Sequence, residues 1–216
     1  MNSLTEENYL KTAFLLSDQD GKVNVKDLSE KMNVSMPTVT SMAKKLAEKD
    51  LFIYESYKPI RLTENGKRTA AMIVRKHRLT EMFLVQVMGF RWDEVHQVAE
   101  EIEHIDAPLF FEKMDEMLGR PDVDPHGSPI PDKEGNIVES NYMLLSSLNI
   151  GQKCIFRAVA HDGVEFLRYL SARQLTIGTS INVLNKESFD GSVTVSANNQ
   201  EMMLSSAAAQ GMLVEM

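Results

Sequence analysis

Residues 26–62 read KDLSEKMNVSMPTVTSMAKKLAEKDLFIYESYKPIRL, and they predict two helices separated by a tight turn. A short helix is expected over Lys26–Met32, with the turn at Asn33-Val34. Ser35 is a favourable N-cap for a second helix because its hydroxyl can accept from an unpaired backbone N–H. Pro37 is tolerated in the first turn of that helix. The order helix, turn, capped helix is typical of a helix-turn-helix motif.

The second helix has two contrasting faces. Its apolar face consists of Val39, Met42, Ala43 and Leu46, and its opposite face offers Thr38, Thr40, Ser41, Lys44 and Lys45 to solvent. Two strands follow, Leu51–Tyr54 and Ile60–Leu62, around the turn Glu55–Pro59. A helix-turn-helix with a hairpin is the winged form of the motif. Any small helical domain with a hairpin shares this pattern, but the basic face, with Tyr57 and Lys58 at the hairpin tip, favours DNA binding.

The charge of the chain is distributed unevenly. The 216 residues carry a net charge of −8, which taken alone argues against a nucleic-acid partner. Residues 1–78, however, hold 14 Lys and Arg against 10 Asp and Glu, whereas residues 79–216 hold 9 against 21. This asymmetry suggests that the basic N-terminal module binds an anion, whereas the acidic remainder has a different role.

Composition excludes several other classes of protein. No run of 18 apolar residues exists, and the N-terminus lacks the pattern of a secretory signal, so a reduced cytoplasmic protein is expected. Cys154 is the only cysteine, which rules out an internal disulfide and a CxxC metal site.

The remainder of the chain predicts a helical section followed by a β-rich one. The expected helices are Glu64 to about Val87 with Thr63 as N-cap, residues 94–105 capped by Asp93, and Leu109–Leu118 opened by Pro108. Residues 119–141 are expected to form a loop, and a small β-barrel is indicated by the runs Cys154–Val159, Ile181–Leu184 and Ser192–Ser196. The fold class is therefore mainly α with a small amount of β. The predicted domains are 1–73, 74–141 and 142–216.

Acidic and imidazole side chains recur at helical spacing in the middle section. His96, Glu100, Glu103 and His104 would share one face of the predicted helix 94–105, and His77 and Glu81 are four residues apart on the preceding helix. Oxygen and nitrogen ligands without sulfur suit Mn²⁺ or Fe²⁺. A solvated charged face explains the same spacing equally well. No HExxH pattern supports a zinc protease.

The chain resembles the diphtheria toxin repressor family of metal-dependent transcriptional regulators, including its manganese-sensing branch. The resemblance is carried by Pro37–Thr40, Arg61–Thr63 with Gly66, Arg75–Leu79 with Glu81, Val95-His96, Ile102–His104 and His126–Pro131. It implies an N-terminal winged helix-turn-helix, a helical metal-binding and dimerisation domain, and a C-terminal SH3-like (FeoA-like) domain.

The resemblance also implies a set of metal ligands. Glu100, Glu103 and His104 match the regulatory site, His77 matches a ligand of the neighbouring site, and Glu81 and His96 match ancillary ligands. Glu100 stands where iron-sensing members have cysteine, which favours Mn²⁺, with Fe²⁺ second.

Two departures from the family pattern fall on the N-terminal helix. Asn8 stands in place of Asp or Met, and Lys11 stands where a manganese sensor offers Glu. Asn8 can still ligate through its carbonyl oxygen. Asp124, His126 and Asp162 resemble a further site of streptococcal-type manganese sensors, although an ordered loop with surface acids is the competing explanation.

The expected function is a homodimeric, metal-dependent regulator of transcription, a repressor of metal-uptake genes, and not an enzyme. It would bind a double-stranded DNA operator, with no membrane and no small organic substrate involved. The residues expected at the DNA are Ser35, Met36, Pro37, Thr38, Thr40, Ser41, Lys44, Lys45, Tyr57 and Lys58. The alternatives are a winged-helix regulator that responds to an organic ligand and, less favoured, a metallo-enzyme.

Overall fold

A computed structural model describes residues 2–18, 20–138 and 140–216. The helices are α1 (Leu4–Leu16), α2 (Val25–Met32), α3 (Met36–Glu48), α4 (Glu64–Gln86), α5 (His96–Ile102), α6 (Pro108–Met117), α7 (Val164–Ser171) and α8 (Ser206–Gly211). The strands are β1 (Lys22–Val23), β2 (Phe52–Ile53), β3 (Ile60–Leu62), β4 (Met143–Leu144), β5 (Lys153–Val159), β6 (Ser180–Lys186), β7 (Val193–Ala197), β8 (Gln200–Leu204) and β9 (Met212–Glu215). Within the described part of the chain, no helix combines the length and apolarity needed to span a bilayer.

The chain forms two compact units. Unit 1 comprises Met1–His77, Glu100–Glu112 and Ile130–Ile137. Unit 2 comprises Arg78–Ala99, Lys113–Pro129 and Val138–Met216. Helix α4 therefore contributes His77 to unit 1 and Glu81 to unit 2.

Unit 1 contains the predicted winged helix-turn-helix. Asn33 ends α2 in the left-handed conformation, with φ 52° and ψ 46°, and the Ser35 side chain accepts from Thr38 N as the N-cap of α3. The wing is a three-stranded antiparallel sheet in the order β1-β3-β2. Strand β1 was not predicted because two residues are too short to show a period, and it forms only by pairing with β3.

The start of α4 lies directly against the wing. Thr63 acts as the predicted N-cap, since its hydroxyl accepts from Gly66 N at 2.9 Å. A Cβ added to Gly66 would lie 2.0 Å from the carbonyl oxygen of Leu51, so only glycine permits this close approach.

The first turn of α1 is connected to α3 through Glu6. Ser3 and Glu6 form a capping box, which satisfies backbone N–H groups at the helix start. Residue Glu6 is 1% exposed, and its carboxylate also lies 3.1 Å from Lys45 Nζ and 2.8 Å from Lys49 Nζ. The hydrogen bond from Lys49, with that from Ser3 N, outweighs burial and lowers the pKa of Glu6 to about 2.

Replacement of Glu6 by glutamine is expected to destabilise the protein in a pH-dependent way. Because the folded-state pKa lies below its ordinary value of 4.5, the carboxylate stabilises the fold fully above that pH. The expected loss is about 2 kcal/mol at neutral pH, allowing for the solvent exposure of both lysines. Urea unfolding should show the difference between wild type and Glu6→Gln shrinking as the pH falls from 4.5 towards 2. A difference that does not change over this range would contradict the assignment.

The C-terminal part of unit 2 is a six-stranded antiparallel sheet in the order β4-β9-β5-β6-β7-β8. Helices α7 and α8 accompany the sheet, and residues such as Phe156, Leu167, Val195 and Ala209 form its core. The three predicted β-runs correspond to β5, β6 and β7, whereas β4, β8 and β9 were missed. Cys154 lies buried in this core, and burial raises the pKa of its thiol to about 11.

The helix predicted over residues 94–105 was wrong at both ends. The observed α5 covers only His96–Ile102, so Glu103 and His104 lie in the turn that follows it. Asp93 was wrongly predicted as its N-cap. Its buried carboxylate instead pairs with Arg91 at 2.9 Å and with Arg168 at 2.8 Å, and these two partners lower its pKa against the opposing effect of burial.

Candidate functional site

Unit 1 brings most of the predicted metal ligands together. We call this group the unit 1 cluster, and it consists of Glu7 and Lys11 from α1, His77 from α4, Glu100 from α5, and Glu103 and His104 from the following turn. Asn8 lies on α1 between Glu7 and Lys11. Because α5 ends before Glu103, a turn rather than a regular helix face presents the last two side chains.

Glu103 is the centre of the unit 1 cluster. Its side chain is fully buried, and its Oε2 lies 2.5 Å from His77 Nδ1. Its Oε1 lies 2.7 Å from Lys11 Nζ and 3.5 Å from His104 Nε2. One carboxylate therefore connects α1, α4 and the turn after α5.

Lys11 lies between two carboxylates of the unit 1 cluster. Its residue is 7% exposed, and its Nζ donates to Glu100 Oε1 at 2.5 Å as well as pairing with Glu103. Glu7, which the sequence analysis did not single out, lies with its Oε2 2.7 Å from His104 Nδ1. The spacing of Glu7 and Lys11, four residues apart on α1, is the sequence signal that could have identified Glu7.

Asn8 and Glu103 provide a test of whether the unit 1 cluster fits a metal ion. Asn8 Oδ1 is buried and has no hydrogen-bond partner, whereas the buried Glu103 Oε1 already lies 2.7 Å from the Lys11 ammonium. The oxygen and imidazole donors suit Mn²⁺ or Fe²⁺ in kind. The ammonium of Lys11, however, already lies against both carboxylates, so the set as it stands fits a divalent ion poorly.

Unit 2 contains a second group, which we call the unit 2 cluster: Glu81, Asp124 and His126. Each is buried, and each offers a ligand atom within 4.8 Å of the other two. His126 Nε2 lies 2.8 Å from the carbonyl oxygen of Trp92, and its Nδ1 lies 3.5 Å from Glu81 Oε2. The Trp92 carbonyl accepts from Nε2–H, and Nδ1 therefore faces the carboxylate of Glu81. Metal-binding histidines usually donate one ring N–H to such a carbonyl and bind the metal through the other nitrogen.

Backbone hydrogen bonds position Asp124. Its Oδ1 accepts from His126 N at 2.8 Å and from Ser128 N at 2.9 Å, and its Oδ2 lies 3.5 Å from Arg78 Nε. Burial and the negative charge of Glu81 raise the pKa of Asp124 to about 6. The two acids are thus crowded together, Arg78 balances part of their charge, and a divalent ion would offset more of it.

The same carboxylates raise the pKa of His126. Burial alone lowers the pKa of its imidazole, but the hydrogen bond with Glu81 and the charges of Glu81 and Asp124 together raise it to about 9. Two carboxylates and a preoriented imidazole, all buried, fit Mn²⁺ or Fe²⁺ in donor chemistry once the ion displaces the proton on the imidazole.

His96 and Asp162 lie at the rim of the unit 2 cluster. Both side chains are 54% exposed, and His96 Nδ1 lies 3.5 Å from Glu81 Oε1 and 3.8 Å from Asp162 Oδ2. The structure therefore brings together Asp124 and His126 of the predicted additional site, with Asp162 near His96. Glu81, which was predicted to pair with His77, belongs to this group.

The predicted DNA-binding residues lie on the exposed face of α3 and at the tip of the wing. Met36, Pro37, Thr38, Ser41, Lys44 and Lys45 are exposed, and Thr40 is half-buried. A groove of about 470 Å³ lies between this helix and the wing, lined in part by Asn24, Thr40, Tyr54, Tyr57 and Lys58.

Several of these residues also have partners within the protein. The hydroxyls of Ser35 and Thr38 lie 2.8 Å apart, and Ser35 Oγ also accepts from Thr38 N as the N-cap of α3. Lys58 Nζ lies 2.5 Å from Glu55 Oε2, and Lys44 Nζ lies 5.8 Å from the centre of the Tyr54 ring. Tyr57 is fully exposed, with φ 64°, at the wing tip.

Fold and site together define a winged-helix protein with two clusters of carboxylates and histidines. Residues 1–60 match the family model "Iron dependent repressor, N-terminal DNA binding domain", residues 63–132 match "Iron dependent repressor, metal binding and dimerisation domain", and residues 143–216 match "FeoA domain". The chain belongs to the diphtheria toxin repressor family, which consists of DNA-binding repressors rather than enzymes.

Individual relatives agree with this assignment. The "Iron-dependent repressor IdeR" of Mycobacterium tuberculosis (strain ATCC 25618 / H37Rv) is 33% identical over 133 residues, 61% of this chain and 58% of that protein. The chain thus covers less than two thirds of this relative. The solved structure "Manganese-dependent transcriptional repressor complex with manganese" has 33% identity and a TM-score of 0.86 over 97% of this chain and 98% of its own. "ScaR with bound Cd2+" has 34% identity and a TM-score of 0.79, with the same coverage.

Proposed function

We propose that this protein is a homodimeric transcriptional repressor that binds its DNA operator in response to Mn²⁺ or Fe²⁺. The observation that carries the proposal is the buried unit 2 cluster, whose donors suit these ions, in a chain that also presents an exposed recognition helix. A cytoplasmic location follows for a protein that works on the chromosome. The proposed domains remain 1–73 for DNA binding, 74–141 for metal binding and dimerisation, and 142–216 for the SH3-like part.

The unit 2 cluster is the proposed position of the regulatory ion. Glu81, Asp124 and His126 would hold it, with His96 and Asp162 at the rim as further ligands. A bound ion would supply two positive charges that relieve the repulsion between the buried carboxylates. The ligands implied for the other position are Asn8, His77, Glu100, Glu103 and His104, where Lys11 changes the chemistry.

DNA affinity responds to the ion only if the ion binds the DNA-competent state more tightly than the other state. Cation binding also makes an acidic protein less negative, which favours its approach to phosphates.

The test is a comparison of DNA affinity with and without metal. An operator is first selected from a random duplex library in the presence of Mn²⁺, and the Kd for that duplex is then measured by fluorescence anisotropy. We expect Mn²⁺ or Fe²⁺, added to chelator-treated protein, to tighten binding by at least about tenfold, a typical allosteric coupling. An equal Kd in chelator and in metal would contradict the proposal.

Lys44 is expected to contact a phosphate rather than a base. Lys44→Ala should weaken binding similarly for all duplexes and reduce the slope of log K against log salt by about 1. Lys153→Ala provides a matched control that should leave the affinity and the salt slope unchanged, since Lys153 is an exposed lysine of β5 outside the predicted DNA-binding residues. A changed sequence preference with an unchanged salt slope would show that Lys44 reads bases instead.

A further inference from the structure

The unit 1 cluster contains a positively charged side chain, the ammonium of Lys11. Lys11 is almost completely buried on α1, in a place where a long charged side chain needs paired acids. Its two partners, Glu100 and Glu103, come from the end of α5 and the turn after it. The ammonium therefore joins segments that are some ninety residues apart in the chain.

The ammonium uses the oxygens that a metal ion would need. Lys11 Nζ lies 2.5 Å from Glu100 Oε1 and 2.7 Å from Glu103 Oε1. A divalent ion bound by the same two carboxylates would lie only a few ångströms from the ammonium, and like charges at that distance in a buried site repel strongly. The ion could enter only if Lys11 moved away.

Neighbouring groups do not offset this repulsion. Asn8, on the same face of α1, is uncharged, and its buried Oδ1 has no hydrogen-bond partner. Glu7, the nearest further acid on α1, is engaged by His104 at 2.7 Å. The Lys11 ammonium thus already balances part of the charge of Glu100 and Glu103. The additional oxygen donor on α1, Asn8 Oδ1, is neutral.

We propose that Lys11 acts as a built-in cation that closes the unit 1 cluster to divalent metal ions and ties α1 to Glu100 and Glu103 without metal. Regulatory metal binding is then left to the unit 2 cluster. This inference deepens the proposed function, because it states which of the two clusters responds to the ion.

The test measures Mn²⁺ binding in full-length protein from which the unit 2 ligands have been removed. In an Asp124→Ala/His126→Ala background, isothermal titration and the paramagnetic resonance signal of free Mn²⁺ should show no stoichiometric binding. Adding Lys11→Met should create a site for about one Mn²⁺ per subunit, at least about tenfold tighter than in the background, because the repelling charge is gone.

Two further variants distinguish the effect of the positive charge at position 11 from a non-specific effect of substitution on Mn²⁺ binding. Lys11→Arg keeps a positive charge at the same place and should leave the cluster closed. Lys26→Met, on the exposed face of α2, should leave Mn²⁺ binding unchanged in the same background. If circular dichroism shows that Lys11→Met does not fold, Lys11→Gln replaces it, since its amide can still donate to the carboxylates.

The two proposals fail in different measurements. A background protein with Lys11 intact that binds one Mn²⁺ per subunit as tightly as the Lys11→Met protein would overturn the inference about Lys11. The proposed function is tested separately by Mn²⁺-dependent DNA binding of the protein with both clusters intact.

Discussion

His126→Ala is expected to abolish the metal dependence of DNA binding while leaving the fold intact. The imidazole is one of three buried side chains in the unit 2 cluster, and Trp92 O holds its Nε2 so that Nδ1 faces Glu81. Loss of a supporting partner alone typically costs 10–100-fold in metal affinity, so we expect loss of a ligand to weaken Mn²⁺ binding by at least about a hundredfold.

The measurement is the Mn²⁺ affinity, by titration, together with the operator Kd at a fixed Mn²⁺ concentration. His161→Ala is the matched control, because His161 is an exposed histidine of the same unit that lies outside the cluster. Metal-responsive DNA binding that survives His126→Ala would move the regulatory ion away from the unit 2 cluster.

Glu103→Gln is expected to cause the largest loss of stability in unit 1. The buried carboxylate pairs with Lys11 and with His77, and its removal leaves a buried ammonium with only Glu100 as its acidic partner in the cluster. Breaking a buried ion pair by removing one partner costs about 3 to 5 kcal/mol, and we expect about 3 kcal/mol because Glu100 remains.

Urea unfolding in chelator measures this loss without a contribution from bound metal. Glu101→Gln is the control, since Glu101 is the exposed neighbour of Glu100. If Glu103→Gln and Glu101→Gln are equally stable, the Lys11–Glu103 pair does not support the fold. A Lys11→Met/Glu103→Gln double variant should lose less than the sum of the two single changes, because the two side chains interact.

Locally determined features could be read from the sequence with good accuracy. The N-caps at Ser35 and Thr63 and the long α4 were predicted and confirmed. Each depends on hydrogen bonds or periodicity within a few residues, so the necessary information lies in the same stretch of chain.

Features that depend on distant partners could not be read in this way. Asp is a residue type favoured at N-caps, but the carboxylate of Asp93 instead accepts a hydrogen bond from Arg168, 75 residues away. Strand β1 has too few residues to show a pattern and exists because β3 pairs with it. The premature end of α5 likewise places Glu103 among partners from α1 and α4.

The sequence by itself therefore determined which chemistry is available: a winged helix with a basic, polar recognition face, and carboxylates with imidazoles in an acidic body. The tertiary structure alone decided how these groups are divided, with Glu81 beside Asp124 and His126, and Lys11 between Glu100 and Glu103. The physical reason is that local propensity acts over a few residues, whereas the pairing of buried charges is settled by packing segments far apart in the chain.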